Sequence, residues 1–188
     1  MSNVPQQGRN TRSFLARGAL LAAVLPAFAI VLSACSTATP ATDSVVTTFI
    51  VVRHAEKATD DAKDPSLSDL GLQRAKRLAV RLDREPLVAA YATGFRRTRQ
   101  TAQPTADAHR IAITAYDAPL PAAAFASQLR AAHERGSVLV VGHSNTVPDI
   151  VAALSGTPVE AMTEQQFDRL YRVSIGGDGN ATLVEERY

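Results

Sequence analysis

Cysteine is almost missing from this chain: Cys35 is the only one in 188 residues. A single thiol excludes an internal disulfide framework, so the fold rests on its apolar core. A membrane-length apolar stretch is missing too. The uncharged run Ala19 to Leu32 covers about 14 residues and contains Pro26, short of the ~20 that a spanning helix needs. Charge of one sign is scarce as well: 20 basic residues face 18 acidic ones, for a net +2. There is no internal repeat. With 46% apolar and 20% charged residues, the composition suits one globular domain of ordinary size.

The beginning of the chain has its own character. Arg9, Arg12 and Arg17 precede the apolar run, and Leu32-Ser33-Ala34-Cys35 follows it. This arrangement resembles a bacterial lipoprotein signal, whose lipobox has the same Leu-small-small-Cys form. The resemblance implies cleavage before Cys35, a lipid on that cysteine, and anchoring in the bacterial cell envelope facing the periplasm or the exterior. Ser36 after the cysteine leans toward the outer membrane, where there are two membranes. Residues 1–34 are then signal, 35–45 a lipidated cysteine and tether, and 46–188 the domain. Ser36 to Ser44 is small, polar and interrupted by Pro40, which suits a flexible tether. Removing three arginines leaves 17 basic against 18 acidic residues, a net −1. The precursor's isoelectric point near 8.9 therefore does not mark a nucleic-acid binder.

From Val46 onward, strand-like and helix-like segments alternate, the pattern of an α/β protein. Strands are expected at 46–52, 87–92, 111–116 and 138–141, the last almost fully apolar and so central in a sheet. Helices are expected at about 69–84, 96–108, 122–135 and 147–154. Ser68 can cap the first, with Leu70, Ala75, Leu78, Ala79 and Leu82 at helical spacing. Pro104 should bend or break the second, and Gly136 should stop the third. A short helix near 163–167 and two edge strands, 169–175 and 181–186, complete the expectation.

Chemistry gathers where these strands end. Arg53-His54-Ala55-Glu56-Lys57 follows the first strand, Gly142-His143-Ser144-Asn145 the most apolar one, and Arg96-Arg97-Thr98-Arg99 opens a helix after the second. Parallel neighbouring strands would bring both histidines to the carboxyl edge of the sheet, where open α/β folds place their ligands. Imidazole is a nucleophile, and arginine near a helix N-terminus adds its charge to exposed amide donors. Such a set suits a tetrahedral dianion. A zinc site on His54 and His143 would lack a clear third ligand. His109 and His133 read as structural, and Arg96 and Arg99 as solvated or ion-paired.

The run Arg53-His54-Ala55-Glu56, the segment Leu67 to Ala75, the run Arg97-Thr98-Arg99-Gln100-Thr101-Ala102 and Val141 to Asn145 resemble the histidine phosphatase superfamily. The similarity spans about residues 46 to 175. It implies a phosphoglycerate-mutase-like, three-layer α/β/α fold with a mostly parallel central sheet. It also implies that His54 takes the phosphoryl group while Arg53, Arg97 and His143 hold its oxygens, with no metal and no cofactor. The short chain is similar to small phosphohistidine-phosphatase-type members and carries no long insertion to form a lid. The partner would be a phosphorylated substrate, reached from the membrane through the lipid on Cys35, and not a nucleic acid. Ser144 stands where one branch of the family has its proton-donating Asp. Asp117 after the third strand is the expected replacement, with Glu56 as its rival. A phosphomutase and a non-catalytic phosphate-binding lipoprotein are the competing readings.

Overall fold

The structure, a computed structural model, describes residues 45–188. The expected signal, the lipidated Cys35 and nearly all of the tether lie outside these residues. Among the described residues no helix is long and apolar enough to cross a membrane.

Six strands form one sheet: β1 (Val45–Arg53), β2 (Leu87–Thr93), β3 (Ile113–Tyr116), β4 (Gly136–Gly142), β5 (Arg169–Gly176) and β6 (Ala181–Arg187). Their spatial order is β3-β2-β4-β1-β5-β6. The pairs β3/β2, β2/β4 and β4/β1 are parallel, while β5 runs antiparallel to both β1 and β6. Four helices cover the faces: α1 (Asp69–Arg81), α2 (Arg96–His109), α3 (Ala122–Ala132) and α4 (Val147–Ser155).

The strand period of two sorts the core into two layers. Ile50, Val52, Leu139 and Val141 face one way and pack on Leu78 and Leu82 at the α1 side and Ala102 and Ala106 of α2. Phe49, Val51, Val138 and Val140 face the other way, against Phe125 and Leu129 of α3 and Ile150 and Leu154 of α4. Helices therefore flank both faces, the expected three-layer α/β/α architecture. Removing a leucine side chain from either layer should cost about 2–5 kcal/mol.

Five details depart from the sequence reading. Leu70 is 52% exposed, and Gly71 takes the buried position instead. A Cβ at Gly71 would lie 2.3 Å from the Glu56 carbonyl oxygen, so only glycine lets α1 approach the loop after β1 this closely. Helix α2 runs unbroken through Pro104, because buried Thr101, Ala102, Thr105 and Ala106 fasten it to the sheet. Gly136, at φ 85°, opens β4 instead of ending α3, which stops at Ala132.

The fourth departure lies at 163–167, where no helix forms. The carbonyls of Thr163 and Gln166 accept from the Arg53 guanidinium, and the Thr163 amide donates to the Gln166 side chain. The Thr163 carbonyl also accepts from the Gln166 amide at 3.2 Å, so the segment closes as a turn around the guanidinium. Nor is β5 an edge strand, since β1 and β6 flank it.

Candidate active site

Residue pairing between β1 and β4 places Arg53 opposite Gly142, so the residues that follow, His54 and His143, leave the sheet side by side. The His54 amide donates to the Gly142 carbonyl at 2.9 Å, extending the ladder by one step. The two imidazoles meet edge to face with centroids 5.4 Å apart, and both are buried. His54 Nδ1 lies 2.8 Å from the Ala55 carbonyl, which can only accept, so Nδ1 carries the proton and Nε2 keeps its lone pair. Burial, with smaller contributions from His143, Arg53 and Arg97, lowers the His54 pKa to about 3, although the Ala55 bond opposes the shift. At neutral pH the ring is therefore an uncharged nucleophile. Burial and the charges of Arg97, Arg53 and Lys57 likewise lower His143 to about 4.

Arg97 reaches this pair from the first turn of α2. Its guanidinium stacks 4.2 Å above the Phe95 ring, the residue that caps the helix. Both Nε and Nη1 are buried without a hydrogen-bond partner, and the nearest carboxylate, on Asp64, stands 3.7 Å from Nη1. Buried guanidinium donors are rarely left unmade, so these two mark a place for an acceptor. Arg97 also lines an open hollow of about 370 Å³, together with Phe95, His143, Thr146 and the Ala118-Pro119 turn. Histidine 143 meets the hollow at one side, and its amide is held by the Thr146 hydroxyl at 3.0 Å.

Arg53 is placed differently. It is 1% exposed, and its Nη1 donates to the carbonyls of Thr163 at 2.9 Å and Gln166 at 3.3 Å. Nη2 pairs with the Glu164 carboxylate at 3.1 Å, and the guanidinium lies 4.2 Å over the Phe167 ring. Only Nε is left without a partner. The 163–167 segment thus straps the arginine down. Glu164 also accepts from Ser144 Oγ at 3.3 Å, which joins the strap to the residue after His143.

Residues 49–118 match the model of the histidine phosphatase superfamily (branch 1), a span that contains Arg53, His54, Glu56 and Arg97. The match marks a resemblance to that superfamily over the first half of the described domain. Solved structures agree on the fold. The protein histidine phosphatase SixA, determined with tungstate, is 23% identical with a TM-score of 0.60, covering 74% of this chain and 96% of its own. YhfR of Bacillus stearothermophilus is 19% identical with a TM-score of 0.60, over 74% of this chain and 96% of its own. A phosphoglycerate mutase of Bacillus anthracis str. Sterne is 14% identical with a TM-score of 0.59, over 77% and 94%. No protein of curated function matches the chain by sequence.

Within this fold, the two expected proton donors are not among the walls of the hollow. Glu56 faces Arg74, which binds it through Nε at 3.0 and 2.9 Å and through Nη2 at 2.6 Å. Burial alone would raise its carboxyl, but the hydrogen bonds and charge of Arg74, helped by Arg77, hold it below the usual carboxylate range. An ionised, saturated carboxylate cannot donate a proton. Asp117 is exposed and faces the other side of its turn, toward Tyr91, Phe125 and Gln128; the neighbours Ala118 and Pro119 wall the site instead. His109 and His133 bond to the Leu82 carbonyl and the Tyr91 hydroxyl, away from the site. Arg96 pairs with Asp60 at 3.3 Å. Among the described residues no three His, Cys, Asp or Glu side chains are grouped as metal ligands.

The sequence reading missed Glu164, Phe167, Phe95 and Thr93. Thr93, at the end of β2, was readable only as a strand residue. Phe95 and Arg97 alternate around a helix start, a spacing that could have signalled stacking. Glu164 and Phe167 carry no local signal, since they act on a residue more than a hundred positions away.

Proposed function

We propose that the protein is a phosphatase that takes a phosphoryl group onto His54 Nε2 and then releases it to water. The observation that carries this reading is a neutral, buried His54 with a free Nε2, its ring 5.4 Å from that of His143 and within the field of Arg53 and Arg97. In the first step the Nε2 lone pair attacks phosphorus in line, and the bond to the leaving group breaks with its electron pair. Arg97 and His143 gather the charge on the equatorial oxygens. In the second step water attacks phosphorus, the P–N bond returns its pair to Nε2, and the water proton passes to solvent.

With Glu56 saturated and Asp117 turned away, no carboxylic acid among the described residues stands ready to protonate a poor leaving group. The favoured substrates are phosphoryl compounds whose leaving group departs unaided, such as phosphoramidates and aryl phosphates. The protein histidine phosphatase SixA, whose structure was determined with the oxyanion tungstate, supports the same reading. The phosphoglycerate mutase of similar fold keeps a mutase as the alternative, tested by transfer between phosphorylated sugar acids.

The deciding experiment is to trap acid-labile phosphohistidine with a 32P-labelled phosphoramidate. Label on the wild type, none on His54→Ala, and turnover undiminished by a chelator are the expected results. An unlabelled wild type that still binds phosphate would make the protein a binder. Lipid anchoring in a bacterial envelope through Cys35 belongs to the same proposal; Cys35→Ser should move the protein from the membrane to the soluble fraction.

A further inference from the structure

Behind His143 runs a short chain of hydroxyls that phosphate chemistry alone does not require. His143 Nε2 lies 3.0 Å from Thr93 Oγ1, and that oxygen lies 2.8 Å from Thr98 Oγ1. Thr98 Oγ1 in turn stands 2.8 Å from the Phe95 carbonyl and 3.1 Å from the Thr93 carbonyl. Both threonines are fully buried.

Each hydroxyl has one proton, and a carbonyl can only accept. The Thr98 proton is therefore directed to a carbonyl, the shorter contact being Phe95. The bond between the two hydroxyls then requires Thr93 as donor, which uses its only proton. Thr93 keeps lone pairs for His143, so Nε2 is the donor of that bond. This leaves Nδ1 as the ring nitrogen for the hollow. In a neutral ring with its proton on Nε2, Nδ1 bears a lone pair, which repels an oxyanion. In the imidazolium both nitrogens donate.

We propose that Thr93, backed by Thr98, is a positioning residue that accepts the Nε2 proton of His143 and holds it as a two-donor imidazolium when a phosphoryl group is bound. The proposal rests on the phosphate seat of the preceding section. In the free protein the groups facing His143 are Arg53, His54 and Lys57 at the β1 end and Arg97 on α2, which disfavour a further positive charge. Of the carboxylates at the site, that of Glu164 is bonded to Ser144 and already paired with Arg53, and that of Asp64 lies 3.7 Å from Arg97. An arriving dianion reverses that balance, and the ring takes its proton from solvent. The chain ends in a carbonyl, so it accommodates the charged ring without reorganising. Affinity for phosphate thereby gains a charge-assisted bond from His143.

The test combines 15N-histidine NMR on the full chain with inorganic phosphate binding from pH 6 to 8. Both ring nitrogens of His143 should be protonated at pH 7 in the phosphate complex. Thr93→Val, equal in shape but lacking the hydroxyl, should bind phosphate about tenfold more weakly at pH 8. The gap should narrow toward pH 6, where solvent protons are more available, and Thr93→Ser should restore binding to within about twofold. A phosphate complex with only Nδ1 protonated, or wild-type affinity in Thr93→Val at pH 8, would overturn the proposal. If the valine variant does not fold, the wild-type spectrum alone decides. A wild type that binds no phosphate overturns both readings, whereas one that binds phosphate without forming phosphohistidine overturns only the earlier one.

Discussion

Arg53 and Arg97 both flank the histidines, yet their surroundings differ in kind. Arg53 uses Nη1 and Nη2 on the 163–167 strap and lies against Phe167, so it holds protein to protein. Arg97 rests on Phe95 with Nε and Nη1 unmade, so its donors await something else. The difference teaches that a motif position does not settle a role. The same residue type at the same site can organise the architecture or meet the ligand, and only the inventory of its donors distinguishes the two.

Breaking the comparison directly should give the largest effect. Arg97→Met is expected to lower kcat/KM by about a thousandfold, the scale of losing a charge-stabilising donor. Its melting temperature should stay within a few degrees of wild type, because no hydrogen bond inside the protein is lost. Arg53→Met should show the reverse emphasis. Removing the strap's anchor should cost about 3 kcal/mol and lower Tm by roughly 10 °C. Calorimetry and steady-state kinetics on the pair would sharpen the contrast or erase it.

A smaller effect is expected at the strap's carboxylate. Glu164 is 69% exposed, so its pair with Arg53 adds little stability once solvent screening is counted. It nonetheless occupies a donor that an oxyanion could use. Glu164→Gln should therefore leave Tm within about 2 °C while tightening inhibition by inorganic phosphate severalfold, measured as an inhibition constant. Weaker inhibition would show that Glu164 helps the seat instead of competing for it.

The smallest effect is on pH. His54 and His143 are lowered to about 3 and about 4 in the folded protein, against 6.5 for the ordinary side chain. Between these values the unfolded chain binds more protons, so stability is full above pH 6.5 and declines as pH falls below it. Saturating phosphate should flatten that decline, because the complex also takes up a proton. Tm measured from pH 4 to 8 with and without phosphate checks both the sign and the difference.

Much of this was readable in advance because strands and their ends announce themselves. Val138 to Val141 is apolar throughout, so a central strand ending at His143 followed directly. The apolar run ending at Val52 placed His54 beside it. Ser68 signalled the start of α1. What stayed hidden depends on distant backbone. No local pattern tells Arg53 that the carbonyls of Thr163 and Gln166 will close over it. The same carbonyls hold 163–167 as a turn around the guanidinium despite a helix-favouring composition. Leu70 looked like core because periodicity counts apolar residues, whereas the contact that mattered was the close approach at Gly71. Pro104 lost to tertiary packing, since burying one face of α2 outweighs one missing bond. Asp117 was one residue away from the wall of the site, and a turn reverses direction within that distance.

The pairing of β1 with β4 has a further consequence for how the protein loses activity. His54 and His143 are carried by adjacent central strands of one hydrogen-bonded ladder, the part of a sheet that opens last. The strap over Arg53 is irregular and belongs among the parts that open first. Partial opening should therefore free the Arg53 guanidinium at the edge of the site while the two imidazoles remain in register. On rewarming or return to neutral pH, the chemistry would wait only for a short segment to lie down again, not for the sheet to be rebuilt.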